Sequence, residues 1–282
     1  MRPEQLTGPV AYHGEGPAWS PGWGGLRWVD LLAGDVLSLG TDGVVGRRHV
    51  DRVVAVVRPR RGGGAVLGVE RGFVLEGADG SLTRLPPLWD DAGRRMNEGG
   101  CDPEGRFLCG SMAYDRTPGA GALYRLDEDG KVEVVVDGVT ISNGIDWSPD
   151  GTLAYYTDTT TQRVDVFDHE PGAGITGRRT FVTVDPADGH PDGLTVDAEG
   201  GVWVAINGGG TVRRYTPAGV VDAVVEVPTR QVTACTFGGD ALDELYVTTS
   251  QEGLPPGADP IAGSLFRVAV GVRGRPLREY AG

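Results

Sequence analysis

Hydrophobic and polar positions along this chain do not follow a helical period. No long segment places apolar residues at i, i+3, i+4 and i+7. Short β-rich runs cut by Gly, Asp and Pro recur instead, such as Leu153-Ala154-Tyr155-Tyr156-Thr157, Gly201-Val202-Trp203-Val204-Ala205 and Glu244-Leu245-Tyr246-Val247-Thr248. Their composition and turn punctuation predict strands. Such runs begin near Trp28, Leu67, Phe107, Ala154, Val202 and Leu245, a spacing of about 40–48 residues that matches a four-stranded propeller blade. Each is followed by a Gly-bounded hairpin and further strands, as in Val164-Asp165-Val166-Phe167 and Thr211-Val212-Arg213-Arg214-Tyr215. Six such units fill the chain. The predicted fold is therefore all-β: a single six-bladed β-propeller over residues 1–282, with four-stranded antiparallel blades around a central tunnel. A two-sheet sandwich is the alternative, but it requires no 40-residue period.

The repeat has a finer register. Glu15-Gly16-Pro17-Ala18-Trp19-Ser20-Pro21-Gly22, Asn97-Glu98-Gly99-Gly100-Cys101-Asp102-Pro103-Glu104-Gly105, Asn143 through Ser148-Pro149-Asp150-Gly151, and Asp192 through Asp197-Ala198-Glu199-Gly200 share one frame. A Ser or Asp stands five residues after the first residue of each. The back half reads as a hairpin turn, in which Pro presets φ and Gly supplies φ > 0. Asp79-Gly80 and Asp129-Gly130 are turns of the same kind; no Glu follows at the EF-hand spacing. The front half carries chemistry. First strands of propeller blades line the tunnel, so Glu15, Asn97, Asn143 and Asp192 converge on one axis. Blades two and six offer only Val53 and Thr233 as nearest equivalents.

Composition sharpens this picture. The 47 glycines and 19 prolines without a collagen period fit many tight turns, and 39% hydrophobic residues fit a globular core. A net charge of −13 with a single lysine, Lys131, opposes nucleic-acid or anionic-membrane binding. No stretch approaches the roughly 18 apolar residues of a membrane span. Met1-Arg2-Pro3-Glu4-Gln5 lacks an apolar signal core. Three cysteines, Cys101, Cys109 and Cys235, show no CxxC spacing and predict free thiols in a reducing cytoplasm.

Two carboxylates converging in a narrow pocket repel unless a proton or a cation neutralises them. Carboxylate and amide oxygens suit Ca²⁺, Mg²⁺ or Mn²⁺. The four histidines form no His-x-His or HExxH, so a zinc cage does not fit, although zinc could substitute. A cation with open positions can polarise a carbonyl and acidify a bound water. Polar side chains that cap strands and bind channel water are the structural alternative for the ring. Several other features read as structural: Arg58-Pro59-Arg60-Arg61 with the following glycines as a solvated hairpin turn, Trp19, Trp147 and Trp203 as core, and His190 as part of the channel rim.

These stretches resemble the senescence marker protein 30 / gluconolactonase / luciferin-regenerating-enzyme family. The likeness rests on Gly14 through Trp19, Arg95-Met96-Asn97-Glu98-Gly99, Asp102 through Phe107, Gly110-Ser111-Met112, Ser142 through Gly151, Pro191-Asp192-Gly193-Leu194 and Val202 through Pro217, and covers about residues 12 to 268. The resemblance implies a six-bladed propeller with one divalent cation, Ca²⁺ before Mg²⁺, Mn²⁺ or Zn²⁺, held by Glu15, Asn143 and Asp192. It implies Asp192 as general base and Arg95, Asn97 and Asp115 as substrate contacts. Departures fall around the funnel: Glu98 where the family often has Asp, Tyr114 where some members have a second acid, and a short loop from Asp115 to Gly121. The expected activity is hydrolysis of a small sugar-derived lactone by a monomer or small homo-oligomer. Other ester or phosphotriester hydrolysis, a repurposed biosynthetic reaction, or calcium or ligand binding without turnover are the alternatives.

Overall fold

The structure, a computed structural model, describes residues 1–282. Short alternating runs separated by glycine turns give 24 strands in six antiparallel sheets of four, arranged as a ring. Blade 1 comprises β2 (Gly14–Ser20), β3 (Gly25–Asp30), β4 (Asp35–Leu39) and β5 (Val45–His49). Blade 2 comprises β6 (Val54–Pro59), β7 (Ala65–Val69), β8 (Gly72–Glu76) and β9 (Leu82–Arg84). Blade 3 comprises β10 (Arg94–Cys101), β11 (Phe107–Ala113), β12 (Gly121–Leu126) and β13 (Val132–Val139). Blade 4 comprises β14 (Ser142–Trp147), β15 (Leu153–Asp158), β16 (Arg163–Glu170) and β17 (Gly174–Thr183). Blade 5 comprises β18 (His190–Val196), β19 (Val202–Asn207), β20 (Thr211–Tyr215) and β21 (Val221–Glu226). Blade 6 combines β22 (Val232–Gly238), β23 (Glu244–Thr249) and β24 (Phe266–Ala269) with the N-terminal β1 (Glu4–Gln5). The pairing of Glu4 with Arg267 and Gln5 with Phe266 closes the ring with strands from opposite ends of the sequence. No helix is long and apolar enough to cross a membrane.

The predicted turns do what their chemistry requires. Gly105, Gly151 and Gly200 take left-handed φ of 85°, 74° and 84° at the same point of three blades. Asp197 shows how the turn is tied to the core. Its Oδ1 accepts from Glu199 N and Gly201 N, and its Oδ2 accepts from Trp203 Nε1 at 2.9 Å and Arg214 Nε at 2.7 Å. Apolar faces pack between blades, with Trp28, Trp147 and Trp203 fully buried. Trp19 is only partly buried and stacks on Tyr246 at 5.6 Å.

One sequence reading changes. The basic cluster is not wholly a solvated turn: Arg58 belongs to β6, is 8% exposed, and donates to the Gly16 and Val57 carbonyls. Only Arg61–Gly64 makes the turn. The C-terminal residues then cross the far end of the tunnel. Arg275 donates to Trp147 O and Arg278 to Ser148 O, while both approach Asp146.

Because Asp197 is fully buried and serves four donors, Asp197→Ala orphans the Trp203 N–H and removes one of the three acids that pair with the Arg214 guanidinium. The expected loss is on the order of 2–4 kcal/mol in urea denaturation. Asp150→Ala at the equivalent but exposed turn of blade 4 should cost far less. Similar losses at the two positions would refute the anchoring role given to Asp197.

Candidate active site

Each inner strand breaks its ladder at one level. In β10 the register shifts between Met96 and Gly99, in β14 between Ser142 and Ile145, in β18 between Pro191 and Leu194, and in β2 between Glu15 and Ala18. β6 and β22 shift between Val54 and Val56 and between Val232 and Ala234. A bulge bends the strand and re-aims the side chain at the break. Of the residues at these breaks, Glu15, Asn97, Asn143 and Asp192 reach one cavity. Blades 2 and 6 contribute no such group: Val53 packs in the apolar core, and Thr233 Oγ1 donates to the Gly14 carbonyl.

Glu15, Arg95, Asn97, Asn143 and Asp192 line one cavity of about 280 Å³ at the start of the inner strands. All five are buried, at 4–6% exposure. A chain of hydrogen bonds orders them. Arg95 Nη1 donates to Asn97 Oδ1 at 2.5 Å, Asn97 Nδ2 donates to Asn143 Oδ1 at 3.1 Å and to Ser142 O, and Asn143 Nδ2 donates to Thr159 Oγ1 at 2.7 Å. The Asn143 amide is thereby fixed, its oxygen accepting from Asn97 and its nitrogen donating to Thr159. Glu15 Oε2 accepts from Gly16 N, and Asp192 Oδ2 accepts from Asn207 Nδ2 at 3.1 Å. Asp192 Oδ1 is buried without any partner.

Burial first, and neighbouring negative charge next, hold the Glu15 and Asp192 carboxyls well above the usual range. Asp192 acts on Glu15, and Glu98 acts on both. Glu98 lies beneath them. Burial pushes it up to about 7 against the opposing pull of Arg58, whose Nη2 is 3.7 Å from Oε1; its Oε2 has no partner. His13 also lines the cavity. Burial, then the Arg95 and Arg116 charges, lower it to about 3, so its Nδ1 contact with Ser250 Oγ at 2.6 Å is that of a neutral ring. The approach of Glu252 to His13, at 3.5 Å, is for the same reason not an ion pair at neutral pH.

Asp115 does not join this group. It is exposed, its Oδ1 accepts from Thr117 N and Oγ1, and the loop delivers Arg116 to the cavity in its place. Tyr114 points outward to Glu70 at 2.7 Å and lies 6.0 Å from the Arg95 guanidinium. His190 stands at the rim against Gln162. Asn207, Thr159, His13, Glu252 and Arg116 were not anticipated. Asn207 ends a second strand, Thr159, Arg116 and Glu252 lie on loops that follow second strands, and His13 immediately precedes β2, whereas the sequence pattern addressed first strands alone. The clearest available signal was Asn207, at a strand end before Gly208-Gly209-Gly210.

A second cluster, Asp102, Glu104 and His169, brings its ligand atoms within 4.8 Å of one another. Arg106 already neutralises both of its carboxylates, and Asp102 Oδ1 caps its own turn. The three cysteines are buried and free, and burial raises their thiols. None is a nucleophile in this setting.

A family model described as the SMP-30/gluconolactonase/LRE-like region matches residues 13–251. The chain belongs to that family. It is 37% identical to regucalcin of Sus scrofa over 283 residues, covering 95% of each chain. A calcium-binding protein, regucalcin, from Agrobacterium tumefaciens superposes with a TM-score of 0.93 at 29% identity, covering 100% of this chain and 99% of that one. A luciferin-regenerating enzyme superposes with a TM-score of 0.91 at 30% identity, covering 99% and 100%. Against this family frame, Glu98, Tyr114 and the Arg116 loop are the features to test.

Glu98 provides a thermodynamic one. The native protein keeps this proton up to about 7, whereas an unfolded glutamate releases it near 4.5. Between those values the native state binds more protons, so this group's contribution to stability falls as pH rises and is flat above the window. Its size is at most on the order of 3 kcal/mol. His13 acts in the opposite sense below its ordinary pKa but is common to both proteins. Glu98→Gln should therefore lose less Tm than the parent between pH 5 and pH 8 without added metal; parallel profiles would refute the assignment.

Proposed function

We propose that this protein is a hydrolase that opens a small sugar-derived lactone. The observation that carries this reading is the pair of buried carboxylates, Glu15 and Asp192, facing a polar cavity with one Asp192 oxygen left without a partner. Burying two acids side by side is unfavourable for the protein by itself. Asn143, held by Asn97 and Thr159, lines the same cavity, and its amide oxygen would complete an all-oxygen donor set. This combination fits a hard divalent cation, with Ca²⁺ preferred by the donor type and supported by the description of the Agrobacterium relative.

Glu15, Asn143 and Asp192 would hold that cation, which when bound supplies Lewis-acid polarisation of a carbonyl and a more acidic water. The chain's own residues do the rest. Asp192 has one oxygen fixed by Asn207 and one free, so it can accept a proton from an attacking water while staying oriented. Arg95 is held by Met96 O and Asn97 and presents a fixed donor to a ring hydroxyl or carbonyl. His13, neutral and bonded to Ser250, is a hydrogen-bonding partner for hydroxyls and not a charge. Fourteen of the sixteen lining residues are polar or glycine, which suits a hydroxyl-rich ring and disfavours an apolar ester. The arginines of the C-terminal segment close the opposite end, so water and substrate share one entrance.

A calcium-binding role without turnover is the second reading, favoured by that relative's description. Asp192→Ala should reduce kcat for an aldonolactone by at least about a hundredfold, since it removes base and ligand together. Asn207→Ala, which frees the carboxylate but leaves it in place, should cost about tenfold. Chelation should abolish turnover and re-addition of Ca²⁺, Mg²⁺ or Mn²⁺ restore it in a pH-stat assay. Tight metal binding with no lactone opened would favour the second reading.

A further inference from the structure

Arg116 is the feature of the cavity that lactone hydrolysis alone does not explain. Its backbone is left-handed, with φ of 59°, a conformation that costs a side-chain-bearing residue about 1 kcal/mol or more and persists where neighbours impose it. The neighbours are visible. Asp115 Oδ1 locks Thr117 by two hydrogen bonds, and Arg116 N donates to Ala113 O at 3.0 Å. Both residues are exposed, and of the two only Arg116 lines the mouth of the cavity. Its guanidinium has no ion pair or hydrogen bond within the protein, although the chain has 39 acids for 26 basic residues. It is close enough for His13 and Arg95 both to sense its charge.

The charge balance of the cavity gives this arginine a purpose. The walls carry three carboxylates, Glu15, Asp192 and Glu252, and two guanidiniums, Arg95 and Arg116. A divalent cation on the first two acids leaves the site with one positive charge in excess. Glu252 stands beside His13, while Arg116 has no partner. A neutral sugar lactone would leave that charge uncompensated; a lactone bearing a free carboxylate would not.

Resting on the lactonase reading, we propose that the substrate is an acidic lactone, the monolactone of a sugar diacid, whose free carboxylate is bound by Arg116 while Arg95 and Asn97 hold the ring. Arg116 is thus a specificity residue. A planar fork of N–H donors matches a carboxylate as it matches no hydroxyl. The strongly negative exterior repels anionic substrates in general, so the selectivity has to be built locally.

The test compares a 1,4-lactone of an aldonic acid with the 1,4-lactone of the corresponding aldaric acid, with Ca²⁺ present, in the parent, in Arg116→Gln and in Arg179→Gln, a change at a remote exposed arginine. The parent should favour the acidic lactone in kcat/KM. Arg116→Gln should lower the acidic-to-neutral ratio by about tenfold, chiefly through KM, as expected for loss of one charge-assisted contact, and Arg179→Gln should leave the ratio unchanged. Calorimetric titration of the aldarate dianion and the aldonate monoanion gives a readout independent of turnover, and Arg116→Gln should weaken only the former. Neutral lactones opened as well as acidic ones, or both affected equally by Arg116→Gln, overturn the inference and leave the lactonase reading intact. If neither lactone is opened, the lactonase reading fails. The titration then decides the carboxylate site alone: Arg116-dependent aldarate binding sustains it, and its absence overturns it.

Discussion

A propeller blade meets the tunnel at its edge, and that geometry constrains everything the site can be. Side chains of a strand project to the two faces of its sheet, which here pack against neighbouring blades. An uninterrupted inner strand would therefore show the axis mainly backbone. The β-bulges of the inner strands break this rule at one height, and in four of the six strands a side chain there reaches the cavity. Four oxygen-bearing side chains from four blades meet for that reason, although Glu15 and Asp192 lie far apart in sequence. Gly144 and Gly193 show how close the packing is: a Cβ on either would meet backbone of the next blade at 2.3 Å and a side chain at 2.5 Å. In blades 4 and 5 the glycine after the ring residue lets the next blade approach this closely, whereas in blade 3 that position is Glu98.

That approach concentrates negative charge, and the surrounding hydrogen bonds manage it selectively. The Arg95–Asn97–Asn143–Thr159 chain fixes amide orientation, leaving the two acids few donors of their own. Gly16 N and Asn207 each satisfy one carboxylate oxygen, and Asp192 Oδ1 is left over. The orphaned oxygen and the raised carboxyls have one cause, the withholding of compensation by the protein. Glu98 and Arg58 extend the same economy downward, as a buried and imperfectly matched pair 3.7 Å apart.

Much of this was legible in the sequence because it is local. The Ser/Asp-Pro-x-Gly turns announce themselves through φ requirements, and counting back five residues reaches the inward position. The frame worked for Glu15, Asn97, Asn143 and Asp192, whose blades carry the turn, and blade 2, which lacks it, contributes no side chain to the cavity. What the sequence could not convey was tertiary. Arg58 reads as a loop residue beside Arg60 and Arg61, and only the approach of Glu98 from blade 3 explains its burial. Asp115 and Arg116 are adjacent, and which of them faces the cavity depends on a left-handed φ that no motif encodes. Asn207 and Glu252 enter from second strands and loops, beyond the reach of a pattern drawn on first strands.

The same distinction separates chemistry from specificity within the cavity. The atoms that would handle a carbonyl and a water are carried by inner strands, locked between blades and ordered by buried hydrogen bonds. The groups that would recognise the remainder of a substrate, Arg116, His190 and Glu252, sit on loops or at strand ends around the rim. A loop can change length without disturbing the six-fold closure, because its backbone bonds are satisfied within the loop. The segment from Asp115 to Gly121 is such a loop. It leaves Asp115 outside the cavity and places the Arg116 cation at its mouth while the ring beneath remains as the bulges set it. A single side-chain exchange at the rim would then redirect the site between neutral and anionic ligands, whereas a single exchange in the ring would remove the reaction itself.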